Sequence, residues 1–145
     1  MADFQRLPDR AMVVLRHQDG TAHRLPTVGW SQRRGEDRII ATGPDEWLIV
    51  AADDNDEALL ARVAALNGIA VGASGNRVLF QSGLHFLRRA CAYDVASMLP
   101  DAAVATVLGR AQIIVVKKTE PGAFLVLPRR SFARYLEQLS LAIYD

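Results

Sequence analysis

The sequence predicts an α+β domain in which a mixed or antiparallel sheet carries helices packed on it. Three observations point there. Short runs of β-branched and apolar residues, at 39–42, 47–51, 112–117 and 123–127, are separated by turns containing Gly and Pro. Two stretches, 56–66 and 131–143, repeat apolar residues at helical spacing. The order strand, Pro-containing turn, aromatic-led strand, polar break, helix occurs twice, over 39–66 and 113–139. This weak internal repeat is too long in period for a solenoid. It implies two hairpin-plus-helix units sharing one sheet, each burying its helix stripe on one face.

Residues 1–38 are the least regular part. A strand is expected at 11–15, followed by a turn at Gln18-Asp19-Gly20-Thr21, and 32–38 reads as a charged loop. Phe4 and Trp30 are large apolar groups in polar surroundings; they either pack onto the domain or contribute to a partner surface. From residue 39 the pattern sharpens. Gly43-Pro44-Asp45-Glu46 turns between two strands. Asp53 or Asp54 is placed to cap the next helix, with Asp56 and Glu57 in its first turn, where the helix dipole favours acids. Leu59, Val63 and Leu66 make one buried stripe, and Asn67-Gly68 ends it.

A short strand at 69–71 and the turn Gly72-Ala73-Ser74-Gly75 lead into a strand at 76–82. Ser82 can cap a short helix with Phe86, Leu87, Ala90 and Cys91 on its apolar side. A helical turn at 95–99 stops at Pro100, and the Val and Thr content of 102–108 favours strand. Residues 112–117 and 123–127 form a hairpin around Thr119-Glu120-Pro121-Gly122, their apolar runs implying a sheet covered on one face and partly on the other. Ser131 opens the last helix, with Phe132, Tyr135, Leu136, Leu139 and Ile143 as its stripe.

Composition narrows the function classes. A length of 145 residues fits one domain, 1–145, able to bury about two-thirds of its unfolded surface. Hydrophobic residues make up 50% and charged ones 23%, which argues for a folded globule and against disorder. A net charge of +1 with mixed signs argues against nucleic acid. No apolar run approaches the roughly 18–20 residues that span a bilayer, and the first residues lack a basic-then-apolar secretory pattern. A single cysteine rules out an internal disulfide and fits a reducing cytoplasm.

No catalytic constellation emerges. His17, His23 and His85 show no metal-ligand spacing. Cys91 lies about 240° around a helix from His85, so the two make no nucleophile–base pair within it, and a buried core thiol is expected. Gly72-Ala73-Ser74-Gly75 precedes a strand, whereas phosphate loops precede a helix. Arg129 and Arg130 stand at a helix start, where they are either solvated or hold an anion or a partner carboxylate.

Several segments together resemble the gamma subunit of heterotetrameric sarcosine oxidase. They are Gly43-Pro44-Asp45-Glu46-Trp47-Leu48, Arg77-Val78-Leu79 with Gly83, Cys91-Ala92-Tyr93-Asp94, and Pro128-Arg129-Arg130-Ser131-Phe132-Ala133-Arg134-Tyr135-Leu136. The resemblance runs from about residue 39 to the C-terminus, with departures at Ala90 and Val95. It implies a fold similar to the folate-binding domain of the glycine-cleavage T-protein, an aminomethyltransferase. It also implies a place in a cytoplasmic complex that oxidatively demethylates sarcosine to glycine.

In that complex FAD, FMN, NAD, folate and zinc belong to other subunits, so no cofactor and no catalytic residue is expected in this chain. The implied role is structural, docked on the large flavin- and folate-binding subunit, with Arg129, Arg130 and Trp30 as candidate interface residues. Aminomethyltransferases meet folate with an aspartate on a sheet hairpin, and neither strand of the 112–127 hairpin carries one. Three alternatives stay open: a free-standing folate-binding or one-carbon transfer protein, a subunit of a related secondary-amine oxidase or dehydrogenase, and a homo-oligomeric binding module.

Overall fold

Two apolar hairpins anchor the structure, a computed structural model that describes residues 3–17, 19 and 23–144. The chain forms two compact units, one from Met1–Pro8 with Arg77–Asp145 and the other Asp9–Asn76. Each has its own antiparallel five-stranded sheet and its own apolar core. The class is α+β, as expected.

In the unit Asp9–Asn76, strands β2 (Met12–Arg16), β3 (Ser31–Arg34), β4 (Asp37–Gly43), β5 (Glu46–Val50) and β6 (Ile69–Gly72) lie in the order β3-β4-β5-β2-β6. Helix α1 (Asp56–Ala64) covers one face through Leu59 and Val63, which join Val13, Leu15, Ile39 and Trp47 in the core. Leu66 packs at its margin, completing the expected stripe. Trp47 keeps its ring in the core by donating its Nε1 hydrogen to Pro26 O at 2.8 Å.

In the other unit, β1 (Phe4–Arg6), β7 (Phe80–Gly83), β8 (Ala103–Leu108), β9 (Ala111–Lys117) and β10 (Ala123–Pro128) run in the order β1-β7-β10-β9-β8. Helices α2 (Leu84–Ala90) and α3 (Ala133–Tyr144) supply Phe86, Leu87 and Leu136 to a core with Phe4, Phe80, Phe124 and Val126. Residues 113–117 and 124–128 are buried consecutively, so this part of the hairpin is covered on both faces.

Several expectations are corrected. The two hairpin-plus-helix units do not share a sheet: β4, β5 and α1 belong to one unit, β9, β10 and α3 to the other. Each apolar hairpin instead borders strands distant in sequence, β2 on β5 and β7 on β10. Local periodicity carries no information about such partners.

The expected loop 32–38 is the β3–β4 hairpin, with Gly35 at φ +62° in a two-residue turn between Arg34 and Asp37. β3 is an edge strand, which tolerates its polar residues. The strand expected at 76–82 is regular only from Phe80. The turn placed at 18–21 lies, apart from Asp19, outside the described residues.

Helix starts also differ. α1 is capped by Asn55, whose side-chain oxygen accepts from Ala58 N at 3.1 Å, while Asp53 accepts from Asn55 N. Ser82 does not cap α2; its hydroxyl donates to Gly83 O, and the carboxylate of Asp3 accepts from Phe86 N at 2.8 Å. A remote residue thus does what the local serine was expected to do. Ser131 sits in a single 3₁₀ turn, Arg130–Phe132, and α3 follows from Ala133.

Candidate docking site

β10 ends in Pro128, and the chain one residue further on pairs in an isolated antiparallel bridge, Arg129 opposite Arg77. Val78 N donates to Pro128 O at 3.2 Å beside it. Two guanidinium groups therefore occupy directly opposite cross-strand positions, where like charges are unfavourable. Continuing the β10–β9 register by one residue sets Arg129 opposite Gln112, which pairs with Val107 of β8. The result is a transverse row, Arg77, Arg129, Gln112, Val107, at one end of the sheet.

This row borders an open notch of about 350 Å³, lined also by Ala105 and Ile114. Arg77 is half-buried and donates from Nη1 to Leu127 O at 2.8 Å, a carbonyl 50 residues away in sequence. Burial, and then the charge of Arg129, pull the Arg77 guanidinium below the usual arginine range. Among the described residues neither arginine has a carboxylate partner. The notch therefore offers two cations, one of them held by a backbone carbonyl, above an apolar floor.

A larger cleft of about 770 Å³ lies in the unit Asp9–Asn76, between the β4–β5 turn and the link from α1 to β6. Several of its polar groups are already engaged. Arg16 and Glu46 form an exposed ion pair at 3.0 Å, and Thr42 Oγ1 donates to Glu46 Oε1 at 3.0 Å. His17 accepts from Asp19 N through Nδ1 and meets the His23 ring edge-on at 5.1 Å. No group of three His, Cys, Asp or Glu able to hold a metal ion occurs among the described residues.

The other singled-out residues separate. Arg130 is exposed in the 3₁₀ turn, so the arginines precede the N-terminus of α3 by one turn. Trp30 is 41% exposed, in the other unit, where its carbonyl accepts from Ala41 N. Phe4 is buried, stacked on Phe80 at 4.4 Å between ring centroids. Cys91 is half-buried at the end of α2, packed against the core margin, and His85 is exposed. The 72–75 turn is held by Ser74, whose hydroxyl accepts from Met12 N and donates to the Asp56 carboxylate.

The likeness to a solved structure settles the fold. A chain of the heterotetrameric sarcosine oxidase of Corynebacterium sp. U-96, in its complex with pyrrole 2-carboxylate, superposes with a TM-score of 0.81. The match covers 96% of this chain and 81% of that one, at 23% identity. The chain has the fold of a sarcosine oxidase subunit. No protein-family model and no curated protein matches the sequence.

The segments that carried the sequence resemblance to sarcosine oxidase now have places. Gly43-Pro44-Asp45-Glu46-Trp47 is the β4–β5 turn with the first core aromatic of β5, and Cys91-Ala92-Tyr93-Asp94 links α2 to the next 3₁₀ turn. Arg77-Val78-Leu79 and Pro128-Arg129-Arg130 converge, and their convergence builds the notch. Sequence reasoning singled out Arg129 and missed Arg77 as its neighbour. The signal available was a charged residue heading an apolar run, with nothing to say which strand it would meet.

Proposed function

We propose that this chain is the small, non-catalytic gamma-type subunit of a cytoplasmic sarcosine oxidase complex, docked on the large flavin- and folate-binding subunit. The observation that carries this reading is the fold likeness, which extends over 96% of the chain rather than over a motif. Further support comes from chemistry: in the larger cleft Arg16 and Thr42 both bond Glu46, and the notch presents cations suited to holding a partner rather than to bond-making. Among the described residues no helix is long and apolar enough to cross a membrane.

The test is reconstitution. Purified alone, the chain is expected to be colourless and to give no sarcosine-dependent peroxide. Co-expressed with the flavin-binding oxidase subunits of the same organism, it co-elutes with them in gel filtration. A flavin spectrum with sarcosine turnover in the isolated chain overturns the reading, as does failure to join those subunits.

A further inference from the structure

Two arginines side by side on neighbouring strands raise a question that folding alone does not answer. Each is unfavourable to the other, and burial disfavours the charge of Arg77 as well. Arg77 spends one donor on Leu127 O, which leaves the rest of its planar fork available, and Arg129 is exposed. Guanidinium forks match a carboxylate in two parallel hydrogen bonds, a geometry that an ammonium group cannot reproduce. The floor of Ala105, Val107 and Ile114 suits the methylene stem of an acidic side chain, and the Gln112 amide sits in the same row.

We propose that the notch of Arg77, Arg129 and Gln112 receives an Asp or Glu side chain of the large flavin-binding subunit, and that this forked contact fixes the subunit interface. The inference rests on the subunit reading above. Charge complementarity selects the occupant: a carboxylate neutralises the two guanidinium groups that otherwise repel, so docking removes a cost that the free chain carries. The arginine pair is then an interface device, and Arg130, outside the notch lining, is not part of it.

The experiment measures association of the purified chain with the co-purified flavin-binding subunits of the same organism, by analytical ultracentrifugation at low and high NaCl. Wild type associates, and more weakly at high salt. Arg129→Gln, whose target side chain is exposed, weakens association about tenfold or more and flattens the salt dependence. Arg77→Gln does the same, while Arg130→Gln associates as wild type does.

An unchanged melting temperature, or a higher one, for Arg129→Gln shows that the loss is not misfolding. Full association of both notch variants overturns the proposal and leaves the subunit reading standing. Equal weakening by Arg130→Gln also overturns it, in favour of a diffuse basic surface. If the wild-type chain joins no flavin subunit, the subunit reading fails and the proposal falls with it.

Discussion

Arg62 and Asp37 meet through two parallel hydrogen bonds, Nε to Oδ2 and Nη2 to Oδ1, each 2.9 Å long. The pair ties α1 to the start of β4, and its two members are unequally placed: the Asp37 side chain is 12% exposed, that of Arg62 47%. The hydrogen bond to Asp37 raises the Arg62 guanidinium above its ordinary range. Removing either partner therefore has different consequences. Arg62→Ala leaves a buried carboxylate without its fork, whereas Asp37→Ala frees an arginine that water can reach. We expect Arg62→Ala to lower the melting temperature more than Asp37→Ala does, and thermal denaturation followed by circular dichroism ranks the two. The reverse order refutes this account.

The N-terminal strand stabilises the far end of its sheet out of proportion to its three residues. Asp3 accepts from Phe86 N and its carbonyl accepts from Gly83 N at 2.7 Å, while Phe4 packs against Phe80 and Phe86 at 4.4 and 4.5 Å. Phe4→Ala is expected to cost about 3–5 kcal/mol, the usual range for a buried aromatic, and Asp3→Ala about 1 kcal/mol as a lost helix cap. Urea denaturation of the two variants measures both. A Phe4 variant within 1 kcal/mol of wild type means that the strand does not hold the core in solution.

How far the sequence disclosed this fold follows from the range of each signal. Helix stripes and hairpins are local, so Leu59 with Val63 and the β9–β10 hairpin are legible. The β3–β4 hairpin is hidden because an edge strand needs no apolar alternation, and Ser31-Gln32-Arg33-Arg34 shows none. Asp3 as the cap of α2 is out of reach for the same reason that Arg77 is as the neighbour of Arg129: both depend on pairings across the sheet. One arginine of the candidate site is recognisable by type, and its partner only by topology.

Gly68 gives a third expectation, from space rather than charge. A Cβ added there meets Arg16 O and Leu15 Cδ1, each at 2.6 Å, one a rigid backbone carbonyl and the other a buried side chain. Gly68→Ala must displace the start of β6 from β2, at a cost of about 1–3 kcal/mol. Gly72→Ala, with nothing within 4 Å of the new carbon, serves as the control and is expected to be far milder. Equal midpoints for the two variants in urea would show that the Gly68 contact relaxes freely.

The last expectation concerns folate. A folate site of the aminomethyltransferase type needs an acidic side chain on a sheet hairpin, and β9 and β10 contain none. The charged side chain that the hairpin does bury is a cation: Lys117, 9% exposed, donates from Nζ to Glu120 O at 2.8 Å and lies 5.5 Å from the centre of the Phe124 ring. That ammonium closes the β9–β10 turn on its own carbonyls, and it cannot accept a hydrogen from a pterin or from a reacting nitrogen. The only other polar side chain of the two strands, Gln112, is neutral and sits near the opposite end of β9. Tetrahydrofolate is therefore expected to bind the isolated chain weakly or not at all, with no saturable signal at micromolar concentration in titration calorimetry. A one-to-one site of micromolar or tighter affinity would favour a folate-binding protein over the proposed docking subunit.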